Sequence, residues 1–368
     1  MKEAIALRVL GDIMGWSDDD ARREFAWLSL MARMKYDGYR DFLAGVRFIE
    51  SLADWLQQFA SKEREAAYSF VRSFLVYVGP AEMQHLVELV YPKNVRRRLV
   101  SAIAIRMKIP TYLVWAQSQG VTQYKDLLRR TLFLGLSDGA RMDTLRRANV
   151  GVISNEQILV ATEINEDKWA SLLDSLRADT GDRNARFEFA FLIDDFVGSG
   201  KTLLRSESGE WKGKLIKFWK QIKDVRETHF SPDLRVCVHH YLSTFTASLA
   251  VLEQRDAAAA ERKTDWFPCE TVEFSFGTVL PKDLPIDEAR CPAFMELVAK
   301  YYDKGIESEH TNIGGTPDVR LGFGACALPL VFEHNTPNNS IALLWAETEG
   351  TGDPHAMRPL FRRRQRHG

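Results

Sequence analysis

The 368-residue chain holds only four cysteines, Cys237, Cys269, Cys291 and Cys326, far apart, with no C-x-x-C pair and no histidine ladder beside them. That spacing excludes a zinc ribbon and a disulfide framework and fits thiols in a reducing compartment. Neither sign of charge is in excess, since 49 basic residues against 50 acidic ones leave a net charge of -1. The bulk attraction that draws a protein to nucleic acid or acidic lipid is therefore missing, and nucleic acid is not indicated as a partner. No apolar run reaches membrane-spanning length, and the opening MKEAIALRVLGDIMGW mixes charge into its apolar residues, unlike a signal peptide. A cytoplasmic protein that makes no use of a membrane is expected. Repeats and low-complexity tracts are missing too, apart from AAAA at 257–260. What is there, 45% hydrophobic and 27% charged residues, is the composition of a globular protein long enough for two domains.

Residues 17–125 read as helices. Ser17 with Asp18, Asp19 and Asp20 forms a helix start, and REFAWLSLMARMKY, RFIESLADWLQQFA, AAYSFVRSFLVYV and AEMQHLVELVYP repeat apolar residues at three and four, with turns at Tyr36 to Tyr39, Gly79-Pro80 and Pro92. The aromatic stripe of Trp27, Phe48, Trp55, Phe59, Phe70 and Phe74 reads as core. After Pro110, short apolar runs alternate with helical segments, the pattern of an α/β sheet. Strands are expected at 132–136, 187–194, 234–242, 270–277, 328–334 and 340–345, and helices near 139–149, 154–178, 200–205, 211–225, 244–261 and 287–303. The division that follows is a helical N-terminal domain over 1–125, an α/β domain with a mainly parallel sheet flanked by helices over 126–350, and a solvated basic tail over 351–368.

The stretch FLIDDFVGSGKTLLR, residues 191–205, ends like the phosphate loop of a nucleotide triphosphatase. Such a loop needs G-x-x-x-x-G-K before Ser or Thr, and Asp195 stands where the first glycine belongs. A carboxylate there repels the phosphates, which disfavours a triphosphatase. Read instead as a strand ending in Asp194-Asp195, followed by Gly198-Ser199-Gly200-Lys201-Thr202 opening a helix, the stretch suits a sugar phosphate. The acids accept hydrogen bonds from vicinal ribose hydroxyls, and the amides and hydroxyls of the small residues close on a 5'-phosphate.

Four apolar residues, two acids, two apolar residues and a small-residue loop ending in threonine resemble the ribose-phosphate signature of type I phosphoribosyltransferases, with Phe196 and Gly198 departing from the commonest residues. The resemblance implies that Asp194 and Asp195 hold the ribose hydroxyls of phosphoribosyl pyrophosphate and that Gly198, Ser199, Gly200, Lys201 and Thr202 hold its 5'-phosphate. The family places a pyrophosphate loop after an earlier strand. Here LFLGL leads into Ser137, Asp138, Gly139, Ala140 and Arg141, where small residues free the backbone and Arg141, Arg146 or Arg147 neutralises an anion. Asp138 fits a pyrophosphate carried with Mg²⁺, the one cofactor expected, held through the ligand. The other reading makes Asp138 a helix cap and the arginines a solvated face. A third segment, His334-Asn335-Thr336-Pro337-Asn338-Asn339, reads equally as a hairpin turn or as a nucleobase contact through His334, Asn335, Asn338 and Asn339.

In this order, behind a helical region, the three segments resemble the divergent phosphoribosyltransferase-like proteins of bacterial conflict, or anti-phage, systems. The resemblance implies a defence role, and the helical domain is expected to cover the active site or to mate with a second subunit or a partner protein. It also implies Mg²⁺-dependent glycosyl transfer or nucleotide breakdown, with Asp194, Asp195, Arg141 and His334 in catalytic positions. His239 and His240 are alternatives to His334, of which at most one faces the site if both lie on a strand. A sensor that binds the same ligand without turnover is the competing reading.

Overall fold

A computed structural model of the chain describes residues 3–40, 42, 47–159, 164–261, 271–349 and 356–363. It divides into two compact units, one of Met1–Glu82 with Pro281–Gly368 and one of Met83–Leu280. These boundaries differ from the sequence-drawn division at 125/126 and 350/351: the first unit is discontinuous, and the second holds the helices that precede the sheet.

The first unit begins with α1 (Glu3–Met14), α2 (Asp18–Met34), α3 (Phe48–Gln57) and α4 (Arg64–Ser73), then a short strand β1 (Val76–Val78). The expected helix start is present, because the Ser17 side chain accepts the Asp20 amide at 3.2 Å. Phe48, Trp55, Phe59 and Phe70 are buried and Trp27 and Phe74 partly so, which makes the aromatic stripe core.

The chain continues through α5 (Pro80–Leu89), α6 (Arg96–Met107) and α7 (Ser118–Arg129). The turn expected at Pro92 is instead a π-helical segment, Val90–Val95, joining α5 to α6. Proline lacks an N–H and crowds the carbonyl four residues back, and a wider π turn relieves both without ending the helix. Next come β2 (Thr131–Gly135), α8 (Met142–Ala148), β3 (Ile158–Leu159), α9 (Glu166–Thr180) and β4 (Phe187–Val197). The single helix expected over 154–178 is split. Ser154 and Gln157 close a capping box around one 3-10 turn, and the buried Gln157 amide donates to the Leu128 and Thr131 carbonyls at 2.7 and 2.6 Å; residues 160–163 lie outside the described ones.

No helix forms at 200–205. There the chain makes a hairpin, β5 (Arg205–Glu207) and β6 (Glu210–Lys212), before α10 (Lys214–Ile222). Ser208 and Gly209 both take positive φ, 55° and 78°, the geometry of a tight two-residue hairpin turn. The unit ends with α11 (Arg226–His229), β7 (Phe230–Ser243), α12 (Phe245–Glu261) and β8 (Val272–Val279). Its sheet has the order β3-β2-β4-β7-β8 and every neighbouring pair is parallel. Leu132, Leu134, Ala190, Leu192, Val236 and Val238 pack one face against buried residues of α9, α10 and α12. The mainly parallel α/β sheet flanked by helices is as expected.

Back in the first unit, α13 (Pro292–Lys300) and α14 (Glu309–Asn312) lead to β9 (Leu330–Phe332). The strand expected at 328–334 is thus present in part, but it pairs in parallel with β1 and stays out of the five-stranded sheet. The strand expected at 340–345 is a 3-10 turn, Ala342–Leu344, with all three residues buried. A short apolar run fixes burial and not pairing partner. The basic tail also departs from expectation: Met357, Leu360 and Phe361 are buried in the first unit's core, and the Phe361 amide donates to the Leu344 carbonyl at 2.9 Å. Three apolar residues among the arginines seat the segment by burying their side chains; residues 351–355 and 364–368 lie outside the described ones.

Candidate functional site

In the five-stranded sheet, the connection after β2 runs outward to β3 and the connection after β3 returns past β2 to β4. The strand order reverses between β2 and β4, so their carboxyl ends open a crevice where ligands of parallel sheets bind. The two sequence-predicted loops of this unit stand at those ends: Ser137–Arg141 after β2, and Gly198–Thr202 after β4.

Successive residues of a strand face opposite ways, and Asp194 and Asp195 do so at the end of β4. Asp194 is 1% exposed. The Ser137 hydroxyl donates to its Oδ1 and the Lys214 ammonium to its Oδ2, so both carboxylate oxygens are engaged, one by each loop region. Burial pushes the Asp194 carboxyl above its ordinary range; Lys214 opposes the shift and the neighbouring Asp195 adds to it. Asp195 is half-buried, with Oδ1 accepting the Phe196 amide at 2.8 Å. A Cβ on Gly139 would lie 2.3 Å from Asp195 Oδ2 and 2.7 Å from its Cγ, so a larger residue here would push the carboxylate or the turn aside. Tyr241 on β7 completes this side, its hydroxyl donating to the Ala140 carbonyl at 2.5 Å. Burial first, and then the fields of Asp195 and Asp194, hold that phenol well above its ordinary value.

Between them the Asp194–Ser137 bond and the Asp195–Gly139 contact bring the acid pair at the end of β4 and the turn after β2 into one place. Asp138 is exposed on that turn, and Arg141 is half-buried with φ 50° and ψ 43°, a left-handed conformation uncommon for a residue with a side chain. It stands immediately before α8. The expected helix at 139–149 therefore starts later, at Met142, with Asp138 in a separate 3-10 turn. Arg146 donates to the Ile158 carbonyl at 2.9 Å and is tied to β3, while Arg147 is exposed.

The loop after β4 is held by its carbonyls. Thr244, just before α12, donates its amide to Val197 O at 3.1 Å and its hydroxyl to Gly198 O at 2.7 Å. Leu203 and Leu204 donate to Gly200 O at 3.0 and 3.3 Å, Arg205 to Lys201 O at 3.3 Å and Lys214 to Thr202 O at 3.1 Å. The Val197, Gly198 and Thr202 carbonyls thus tie the loop to the starts of α12 and α10, while the Gly200 and Lys201 carbonyls close its own turn. Gly200 carries φ 79°, the left-handed turn this needs. Because 200–205 is not helical, the helix N-terminus beside this loop is that of α10, which arrives after the hairpin through Lys214 N to Thr202 O and Leu215 N to Leu203 O, both 3.1 Å.

Sequence reasoning passed over Lys214 and Thr244. Their signals were slight: a glycine before a helical run for the first, and a threonine before an apolar helix for the second. His240 pairs in register with Asp194 and is 1% exposed; its Nδ1 is buried and has no hydrogen-bond partner among the described residues. Burial first, then Lys214 and His239, push its imidazole down to about 3, with Asp195 opposing. His239 faces the other side of β7, where its Nδ1 lies 3.0 Å from Ser275 Oγ, and burial lowers it to about 3 as well. Of the histidine pair, His240 is on the side of Asp194 and Lys214.

The segment 334–339 belongs to the first unit. Phe332 and Asn335 exchange backbone hydrogen bonds at 3.2 Å, closing a tight turn, and His334 stacks on Phe332 with centroids 5.8 Å apart. Thr336 is buried, 3.1 Å from the Tyr39 hydroxyl, and the buried Asn339 amide donates to the Phe323 carbonyl at 2.8 Å. Asn335 and Asn338 are half-buried. The site built here is that of the second unit alone.

No helix among the described residues is long and apolar enough to cross a membrane. No curated protein and no solved structure matches the chain. A family model, PRTase-CE, matches residues 52–363, which takes in both loops, the whole parallel sheet and most of the first unit. On that match, over most of its length and across the crevice just described, the chain belongs to the PRTase-CE family and is a phosphoribosyltransferase-like protein.

Proposed function

We propose that the second unit binds a ribose 5-phosphate ligand, phosphoribosyl pyrophosphate or a nucleotide, and performs glycosyl transfer or nucleotide breakdown. The observation that carries this is the convergence of the two loops at the strand-order reversal, where Ser137 reaches Asp194 and Gly139 lies against Asp195. A pentose ester spans such a place: its hydroxyls meet the acids, its 5'-phosphate the amides of 198–202, and its pyrophosphate the turn at 137–141. Cleavage at the ribose C1 passes through an oxocarbenium-like state, so positioning and charge neutralisation do the work and no nucleophilic side chain is required. Asp194 and Asp195 orient the ring, and Arg141 offsets the departing charge.

Among the described residues no three or more His, Cys, Asp or Glu side chains gather into a metal cage. The donors present suit Mg²⁺ carried on ligand phosphates with one carboxylate, Asp138, nearby; so bound, the ion neutralises the pyrophosphate. The defence role rests on the resemblance to conflict-system proteins in the order of the motifs.

The test is calorimetry with phosphoribosyl pyrophosphate and Mg²⁺, then pyrophosphate detection with mixed nucleobases. Heat with turnover supports the enzyme, heat without turnover supports a sensor, and no heat removes the ribose-phosphate reading.

A further inference from the structure

Among the described residues Lys214 is the one cation bonded to Asp194. It is the first residue of α10, where the helix dipole is positive, and α10 has no acid in its first turn to balance it. A lysine there is electrostatically misplaced unless anions gather around it. One such anion is Asp194, with both oxygens already bonded. Each oxygen keeps a second lone pair, but Asp194 is 1% exposed, so vicinal hydroxyls reach it where one of those donors gives way. The Lys214 backbone amide is bonded to Thr202 O of the phosphate loop, and its side chain is about a third exposed. The released ammonium is therefore already beside that loop. His240, buried next to it with an unpartnered Nδ1 and held neutral, adds no second cation to the cluster.

We propose that Lys214 is a ligand-binding residue: its ammonium sits on Asp194 without ligand and passes to a ligand phosphate when ribose hydroxyls take Asp194. This rests on the ribose-phosphate reading and deepens it. Lys214 thereby exchanges one anion for another, while Asp194 exchanges an ammonium donor for hydroxyl donors, so neither group is left without a hydrogen-bond partner. It also favours ligands that carry both a cis-diol and a phosphate over those with either one.

The experiment is a ³¹P-detected titration of phosphoribosyl pyrophosphate with Mg²⁺, which reads weak binding, on wild type, D194N, D194N/K214M and D194N/K214R. In the D194N background Lys214 has lost its carboxylate partner, so any remaining contribution is made to the ligand. The expected result is that D194N/K214M binds about tenfold more weakly than D194N, the size of a lost hydrogen bond to a charged group, while D194N/K214R stays close to D194N. Equal affinities of D194N and D194N/K214M overturn the proposal and leave Lys214 as a counter-ion of Asp194 alone. Absence of binding in wild type overturns the ribose-phosphate reading itself, and the inference with it. Melting of the ligand-free variants distinguishes lost contact from lost fold: removing both charges of the pair together leaves no buried charge uncompensated, so D194N/K214M is expected to melt near wild type.

Discussion

His239 and His240 lie side by side on β7, 3% and 1% exposed, one facing Ser275 and the other the Asp194 cluster. Both are held near 3 in the folded protein against an ordinary 6.5, chiefly by burial. A depressed histidine contributes stability that is present above the unfolded value and lost as pH falls toward the folded one, because the unfolded chain takes up the proton and the native one does not. The fold is therefore expected to weaken steadily between pH 6.5 and about 3, by an amount on the order of 4 kcal/mol per histidine at the acid end. Urea midpoints across this range check it, and a His240→Asn variant should show a shallower slope; an unchanged slope would refute the assignment. Asp194 runs the other way: its raised value means that the stability it gives is present at acid pH and declines as pH rises through the folded value. Gly139 offers a second test. Gly139→Ala places a methyl against the Asp195 carboxylate and should cost about 1–3 kcal/mol together with most ligand affinity. An alanine variant that melts and binds like wild type would show that the turn yields without loss.

At the scale of elements, the helical stretches and the strands at β2, β4, β7 and β8 were legible because their apolar periods are long and bounded by turn residues. The hairpin β5–β6 was not. GSGKT is followed by LLRS, which reads as a first helical turn, and the pairing that replaces it depends on Ser208-Gly209 taking positive φ and on Glu207 meeting Arg205 and Lys212. The consequence for the site is large, since the hairpin delays α10 so that its first residue reaches Asp194. Gly213, with φ 123°, sets the entry angle, and a Cβ there would lie 2.3 Å from the Leu203 carbonyl. Gly213→Ala is expected to displace the start of α10 and cost about 2 kcal/mol or more, the scale of overpacking plus backbone strain. Chemical denaturation gives the stability, and the ³¹P titration should report a parallel fall in affinity; stability lost with affinity intact would separate α10 from the site.

For the whole molecule, the first unit is assembled from both ends of the chain. Phe361 is buried among Tyr36, Tyr39, Phe42, Phe48 and Tyr77, so Phe361→Ala should cost about 3–5 kcal/mol, measured as a lower melting temperature. The second unit is continuous, and a fragment of residues 83–280 is expected to melt cooperatively and to bind phosphoribosyl pyrophosphate with Mg²⁺; a fragment that shows no cooperative transition contradicts this. The sequence by itself determined the fold class, and it located the acid pair and the two small-residue loops that the structure brings together, because strand period, glycine spacing and the order of small residues are local properties that a short window contains. Only the tertiary structure decided that β9 pairs with β1, that Met357, Leu360 and Phe361 are core, and that Ser137, Lys214 and His240 surround Asp194. Those relations join residues far apart in the chain, and no local pattern records which distant donor a buried carboxylate will meet.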